Sequence, residues 1–372
     1  MERNNHYDFT IIVTVALLVT IGIIMIFSSS FSAAMVRQGD GYYFLKRILV
    51  WSAVGTFAMY FCAKINYKYW AKYANIILFV SIILLILVLT PLGIEIHGAK
   101  RWIGVNAITI MPSEIAKFAV IIFVATSINR KKGKLDKFFQ GVVPYLILAA
   151  IFFALIKEQP DFSTALVVVI IIISMVYVGG MKLSHFLGVV FTGIAGLTGG
   201  LFYIFMSGKG YKARRITAFL DPWADPTDSG FQAIQSLLAL GSGGLFGRGL
   251  GRSVQKHFYL PEPQNDFIFA IIGEELGFVG GLTIILLFMV LIWRGIRIAI
   301  HAPDLLSCLM ATGIISMIIV QVTVNIAVAT SSMPVTGIPL PFISYGGNAL
   351  AIFMACMGIL LNISKHTKIN RS

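Results

Sequence analysis

The sequence is poor in charge, in acidic residues and in cysteine. Only 12% of its 372 residues are charged, and 16 Asp and Glu stand against 29 Lys and Arg. The three cysteines, Cys62, Cys308 and Cys356, have no CxxC or metal-ligand spacing, which argues against a disulfide framework and a cysteine metal site. One soluble core cannot bury a chain that is 58% hydrophobic. The composition therefore indicates a polytopic membrane protein.

A nucleotide-binding fingerprint is also missing. The glycine loop GSGGLFGRGLG at residues 241–251 resembles a phosphate cradle, but it has neither GxGxxG spacing after a strand nor a GK[ST] ending. Arg248, Arg252 and Lys256 within or beside the loop favour anion binding and could compensate a diphosphate. The alternative is a flexible turn between two surface helices.

Long apolar runs dominate what is present. A membrane-spanning helix needs about 20 apolar residues, and the sequence predicts ten such spans. They cover residues 9–27, 48–63, 75–90, 115–128, 141–156, 162–179, 186–206, 267–293, 305–330 and 347–363. We therefore expect an all-α polytopic membrane protein, with a single transmembrane domain over residues 1–372. A large loop at about 208–266 separates the seventh and eighth spans.

The distribution of basic residues predicts the orientation. In the short connections, Lys and Arg are concentrated on the side of the two termini, as at residues 64–72, 130–137 and 294–297. The positive-inside rule then places both termini in the cytoplasm and the 208–266 loop outside. The net charge of +13 lies mostly beside spans, where anionic membrane lipid is the nearer partner, so we expect no nucleic acid.

Two sets of ionisable residues lie at or within the predicted spans. Glu114 and Lys117 are three residues apart in the first turn of the fourth span, after Pro112. They form either a self-satisfied ion pair or a charged pair that lines a cavity. Asp161, just before the sixth span, fits a helix cap better than a direct function.

Asp266 lies where the outward loop enters the eighth span, and it could be either a catalytic base or a helix cap. Phe269, Ala270, Gly273 and Gly277 follow on its helix face. These mostly small residues permit close helix packing or leave a groove for a lipid chain. Glu274 and Glu275 lie off that face, and we expect a structural role for both.

The last outward segment, residues 330–350, contains three prolines and a Gly-Gly pair, so it cannot be regular helix. Irregular backbone near a membrane has to be buried in protein or line a cavity. We expect this segment to form one wall of the pocket that contains Asp266.

Several motifs resemble those of the SEDS family of FtsW, RodA and SpoVE proteins over nearly the whole chain. They are KRWIGVNAITIMPSEIAK, QPDFSTA, RRITAFLDPWADPTDSGFQAIQSLLALGSGGLFGRGLG, LPEPQNDFIFAIIGEELGF and PVTGIPLPFISYGG. The wording LPEPQNDFIF and DPWADP is more similar to FtsW and SpoVE than to RodA. Asn265 stands where the family pattern has Thr, and Met111 stands where Gln often precedes PSE.

The resemblance implies ten spans and a peptidoglycan glycosyltransferase that polymerises lipid II at the outer face of the cytoplasmic membrane. It also implies a class B penicillin-binding transpeptidase as partner and makes Asp266 the catalytic residue, the base toward an acceptor sugar hydroxyl. The residues expected to contact substrate are Arg101, Glu114, Lys117, Arg214, Arg215, Arg248, Arg252 and Lys256.

Two other functions stay open from the sequence: a flippase for the lipid-linked precursor and a noncatalytic scaffold for the transpeptidase. No cofactor is required by any motif. A divalent cation, Mg²⁺ or Mn²⁺, could assist the diphosphate, but Asp221, Asp225 and Asp228 are as easily turn-forming residues as ligands.

Overall fold

The computed structural model describes residues 7–96, 98–105, 108–131, 133, 135–207, 218–226, 230–257 and 259–367. Twelve α-helices have both ends within these described residues. They are α1 (Phe9–Gln38), α2 (Tyr43–Lys64), α3 (Tyr67–Lys72), α4 (Ala74–Leu89), α5 (Pro112–Arg130), α6 (Val143–Lys157), α7 (Phe162–Val178), α8 (Leu183–Ser207), α9 (Phe231–Ser242), α10 (Ile268–Ile300), α11 (Leu305–Ala329) and α12 (Gly347–Lys365).

The helices confirm the all-α polytopic fold class. Each of the ten predicted spans coincides with one helix, and within the described residues eight helices are long and apolar enough to cross a membrane. One of the eight is α6 together with the π-helical turn Phe138–Val142 that leads into it, 20 residues in all. The other two, α4 and α7, are shorter apolar helices of 16 and 17 residues. The count of ten crossings and the single domain over the whole chain therefore stay predictions.

The centre of the bundle is formed by α5, α11 and α12, whose side chains are mostly buried. Close approach to α2 depends on glycines of α12: a Cβ at Gly358 would meet the Met59 carbonyl oxygen at 2.3 Å, and one at Gly347 would meet the Trp51 indole at 2.2 Å. By contrast, α8 lies at the periphery with its apolar side chains exposed. The cysteines are free thiols, as the spacing predicted.

The end of the bundle that carries Arg294 is tied together by polar side chains. Arg294 donates to the Asp8 carboxylate over 2.5 Å, and the Asp8 amide donates to the Ser364 hydroxyl over 3.2 Å. Asp304 caps α11 through the Ser307 amide and also accepts from the Tyr67 hydroxyl, each over 2.8 Å. These bonds connect both ends of the described chain to the bundle.

A three-stranded antiparallel sheet connects α4 to α5, and the apolar pattern did not predict it. Its strands are β1 (Gly93–Ile96), β2 (Ala99–Val105) and β3 (Ile108–Ile110), in that order. Trp102 pairs with Ile94 and Lys100 pairs with Glu95, so Arg101 is the extra residue of a β-bulge. A bulge turns a side chain out of the normal alternation, and here it redirects Arg101.

Helix α10 is broken at Gly277, which has a φ of 70° and a ψ of −168°. The glycine loop lies against this break. The amides of Phe278 and Val279 donate to the carbonyls of Gly244 and Leu245, while the amides of Arg248 and Gly249 donate to the carbonyls of Glu274 and Glu275, over 2.9–3.1 Å. Backbone groups that a continuous helix would pair internally are thus paired with the loop.

Glycine at position 247 is required by this contact. Its φ is +78°, and an added Cβ would lie 2.2 Å from the Glu275 carbonyl oxygen. Gly251 has a nearly identical φ of +79°, but nothing lies within 4 Å of its added Cβ. Alanine at position 251 would therefore introduce backbone strain alone, whereas alanine at position 247 would introduce the same strain and a steric clash.

We predict that Gly251→Ala lowers the free energy of unfolding by about 1–2 kcal/mol, because of left-handed strain alone. Gly247→Ala should cost about 1–3 kcal/mol more, because the methyl group forces the loop away from the helix break. Thermal unfolding of the detergent-solubilised protein compares the two variants. Equal losses would contradict the close contact.

Candidate active site

Asp266 lies two residues before the first residue of α10 and is partly exposed. The N-cap position belongs to Phe267, which makes no side-chain capping bond. Asp266 lies one residue before that position, and its interpretation as a cap stays a prediction. Asp161, in contrast, does cap α7, where its carboxylate accepts from the Thr164 amide over 3.2 Å.

The backbone just before α10 is held by the proline-rich segment, residues 331–346, and by α11. Three successive carbonyls accept hydrogen bonds: Gln264 from the Tyr345 amide, Asn265 from the Ser344 hydroxyl, and Asp266 from the Asn325 side chain, over 2.9, 2.6 and 2.9 Å. The Asn325 amide also donates to the Ile338 carbonyl over 2.9 Å. The predicted wall beside Asp266 is present, and it fixes the backbone of that residue.

Glu262 holds the same segment from the other side. Its carboxylate accepts from Arg37, Gln264 and Asn265 over 3.0, 2.9 and 3.1 Å. Its φ of +47° is uncommon for a residue with a side chain. Asn265 therefore folds back on Glu262 instead of capping the helix, and Glu262 is a residue that the sequence analysis did not single out.

Among the predicted cations that the structure describes, Arg101, redirected by the bulge in β2, lies close to Asp266. Its guanidinium donates to the Gln159 carbonyl over 3.2 Å and to the Pro160 carbonyl. A Cβ atom added at Gly337 would lie 3.5 Å from Nη1 of Arg101 and 3.7 Å from Oδ2 of Asp266. The carboxylate and the guanidinium thus border one small space over Gly337.

The small face of α10 is covered. A Cβ at Gly273 would lie 2.4 Å from the Leu240 side chain, and one at Gly243 would lie 1.9 Å from the Gly273 carbonyl oxygen. Helix α9 occupies this face, which gives close helix packing and leaves no groove for a lipid chain at Gly273.

Three successive amides of the glycine loop are hydrogen-bonded within the protein and are not available to a phosphate. The amides of residues 247, 248 and 249 donate to carbonyls of residues 243, 274 and 275. Arg248 and Arg252 are exposed, but Lys256 is only 5% exposed and pairs with Glu275 over 2.9 Å. Lys256 is therefore neutralised inside the protein, where it does not reach an external diphosphate.

Glu114 and Lys117 form a buried ion pair, with 2.7 Å between Oε1 and Nζ and 2% exposure for each side chain. The Phe353 ring lies 5.6 Å from Nζ of Lys117. The self-satisfied pair is thus the arrangement observed, although Oε2 of Glu114 accepts no hydrogen bond from any of the described residues. A contact of this pair with substrate stays a prediction.

The remaining predicted residues add no ligand cluster. Arg214, Arg215 and Asp228 lie outside the described residues. The Asp221 carboxylate accepts from the Trp223 amide over 3.1 Å, as a turn-forming residue does. Across the described ranges, no group of three or more His, Cys, Asp or Glu side chains is arranged to hold a metal ion.

We predict that Asn325→Leu lowers the free energy of unfolding by about 2 kcal/mol, because the carbonyls of Asp266 and Ile338 lose their donor. Thr323→Leu is the matched control, since residue 323 is on the same helix and exposed. Thermal unfolding in detergent measures both. A stable Asn325→Leu protein would contradict the anchoring of the Asp266 backbone.

Comparison with known proteins identifies relatives over almost the whole chain. A family profile for FtsW, RodA and SpoVE, described as "Cell cycle protein", matches residues 8–369. The stage V sporulation protein E of Bacillus subtilis (strain 168) is 47% identical over 362 residues, which cover 97% of this chain and 98% of the relative. A probable peptidoglycan glycosyltransferase FtsW of Geobacter sp. (strain M18) is 40% identical over 365 residues, covering 98% of both.

Two solved structures have the same fold. The rod shape determining protein RodA of Thermus thermophilus aligns with a TM-score of 0.71 and 26% identity, covering 98% of both chains. A chain from a structure titled "Structural coordination of polymerization and crosslinking by a peptidoglycan synthase complex" aligns with a TM-score of 0.78 and 26% identity, covering 96% of this chain and 97% of that one. The higher identities to SpoVE and FtsW agree with the motif wording.

Proposed function

Because the chain belongs to the FtsW, RodA and SpoVE family of cell cycle proteins, we propose that it is a peptidoglycan glycosyltransferase that polymerises lipid II. Relatives at 40% identity are named as probable enzymes of this kind. The observation that carries the proposal is the pairing of Asp266 and Arg101 around the space over Gly337. The glycan strands would serve division, cell shape or the spore cortex.

The reaction joins an acceptor sugar hydroxyl to the anomeric carbon of a sugar on undecaprenyl diphosphate. The new bond forms from the hydroxyl oxygen, the bond from the anomeric carbon to the diphosphate oxygen breaks, and the hydroxyl proton passes to the Asp266 carboxylate. A base on the acceptor side is the requirement of an inverting transfer. The leaving diphosphate keeps the bonding electrons and needs positive charge nearby.

Arg101 is the described cation best located to meet that need, since its guanidinium borders the same space as the carboxylate of Asp266. Exposed Arg248 and Arg252 remain candidates for the diphosphate or its approach path. No step is routed through Mg²⁺ or Mn²⁺; polymerisation measured with EDTA and with each ion tests that need.

Both termini are proposed to be cytoplasmic and the site extracytoplasmic. The support is the excess of Lys and Arg in the connections on the side of the termini. A site on the outer face cannot draw on cytoplasmic nucleotides, so an acceptor and a donor that arrive already linked to lipid diphosphate suit it. Membrane lipid surrounds the spans.

A class B penicillin-binding transpeptidase is the proposed partner. The support is the similarity to a chain of a synthase complex whose title couples polymerization with crosslinking. Peptide crosslinking acts on the glycan strands that polymerisation forms, so a stable complex of the two enzymes keeps the new strand close to the transpeptidase.

We predict that Asp266→Asn abolishes glycan chain formation from lipid II, because an amide cannot accept the hydroxyl proton. Purified complex with the cognate transpeptidase is assayed by gel separation of the glycan strands. Asp40→Asn is the matched control: Asp40 is partly exposed, and a hydrogen bond from Lys46 holds the pKa of its carboxyl below its usual value. This variant should polymerise normally.

Full polymerisation by Asp266→Asn would refute the catalytic assignment. Lipid II that crosses the bilayer of proteoliposomes without glycan formation would favour the flippase. Two results together would favour the scaffold. The wild-type chain would form no strands, and the transpeptidase would crosslink equally well with the wild-type and the Asp266→Asn chain.

We also predict a size limit at Gly337. Gly337→Ala should retain most activity, because its methyl group would make ordinary van der Waals contacts at 3.5 and 3.7 Å. Gly337→Leu should lose about 10²-fold in kcat, because the larger side chain displaces the reacting groups between Asp266 and Arg101. The same assay measures both variants, and equal activity would contradict the shared space.

A further inference from the structure

Two adjacent carboxylates deep in α10 are not used by the proposed reaction. The side chains of Glu274 and Glu275 are both 0% exposed. A buried carboxylate is costly unless it is paired and hydrogen-bonded. The partners of these two residues therefore indicate their role.

The Glu274 carboxylate accepts three hydrogen bonds from one short segment. The donors are the Ser253 hydroxyl and the amides of Val254 and Gln255, over 2.5, 2.9 and 3.3 Å. Arg248 adds a charge contact at 3.7 Å. Such an arrangement of successive amides and a hydroxyl is the geometry by which backbone binds an anion, and here the anion is a side chain of the protein itself.

The Glu275 carboxylate completes the same cluster. It accepts from Nζ of Lys256 over 2.9 Å, from the Ser253 amide over 3.3 Å and from the Ser28 hydroxyl of α1 over 2.7 Å. The cluster therefore connects α1, α10 and residues 253–256 through charge-assisted bonds, which are stronger than neutral ones.

These bonds close a loop of chain that carries Asp266. The loop begins at residues 253–256, which bind the two glutamates. It continues to Asp266 and then follows the first turns of α10 to Glu274 and Glu275. Ile268 and Glu274 are six residues apart on α10, about 9 Å along the helix axis. Asp266 is thus held at the far end of a loop that is fastened at its base by two carboxylates.

We infer that Glu274 and Glu275 are positioning residues for Asp266: they occupy the anion-binding concavity of residues 253–256 and so fix the loop that presents the base. The inference rests on the proposed function and deepens it.

The test uses Glu274→Gln in the complex with the cognate transpeptidase. The substitution replaces one carboxylate oxygen, an acceptor, by an NH2 group that faces the donors of residues 253–255. Hydrogen bonds that hold the loop are therefore lost while the side-chain volume is kept. We expect kcat for polymerisation to fall about 10²-fold, since small displacements of a catalytic group have that effect. KM for lipid II should be unchanged, because Asp266 and not substrate binding is disturbed.

A second readout is independent of activity. Hydrogen exchange of a peptide covering residues 253–266 should be faster in Glu274→Gln, whereas exchange within residues 278–300 should stay as in wild type. Where Glu274→Gln does not fold, Ser253→Ala provides the same two measurements, because it removes the hydroxyl donor to Glu274 and leaves the amide donors of residues 254 and 255 in place.

Asp304→Asn is the matched control for stability. It removes a capping carboxylate at the opposite end of the bundle, where Ser307 and Tyr67 donate to it. It should lower the unfolding temperature without changing kcat or the exchange of residues 253–266. An equal loss of kcat in this control would overturn the inference by showing that general instability explains the effect.

The two hypotheses fail differently. A wild-type complex that forms no glycan strands overturns the proposed function and with it the positioning role. An active wild type, an inactive Asp266→Asn and a fully active Glu274→Gln overturn the positioning role alone, as does unchanged exchange of residues 253–266.

Discussion

Backbone hydrogen bonding at the break in α10 is the constraint on which the rest of the structure depends. Apolar surroundings offer no water to an unpaired amide or carbonyl, so a broken helix needs protein partners. The glycine loop supplies them through four backbone bonds to residues 274–279. The break lies four residues after Gly273, where the C-terminal end of α9 packs closely on α10.

Two kinds of contact define the site: hydrogen bonds that hold the backbone before α10, and a β-bulge that directs the Arg101 side chain. Hydrogen bonds to the carbonyls of residues 264–266 immobilise the approach to α10, and Glu262 restrains the same stretch. A β-bulge then aims Arg101 from a separate sheet toward the same place. Elements far apart in sequence thus converge on the space over Gly337, which is how catalytic groups are commonly preorganised.

Much of the fold could be predicted because a span has a simple physical signature: a long apolar run bounded by turns and Lys or Arg. The cap formed by Asp161 and the irregular wall at residues 331–346 followed from equally local rules. The sheet was missed because its short strands mix charged and turn residues. The sequence suggested that Lys256 contacts an external diphosphate. Its partner in the structure, Glu275, is 19 residues away and no helical spacing relates the two, so this ion pair could not be predicted.

The site was only partly readable for the same reason. Asp266 could be selected from its position at a helix entrance and from the family motifs, but its geometry with Arg101 arises from tertiary contacts. The neighbouring Glu274 and Glu275 carried a usable signal: two adjacent acids within an apolar helix require donors. Residues 253–256, SVQK, follow the glycine loop and provide a hydroxyl and a lysine as such donors. The cluster could have been predicted from this pairing.

The four-bond contact between the loop and α10 also limits how the gene can vary in length. Residues 244–249 and residues 274–279 must remain in register, because a shift by one residue would present side chains where only glycine fits. Insertions or deletions within these two stretches should therefore be selected against. Changes in chain length outside these two stretches and the segment that joins them leave the register intact.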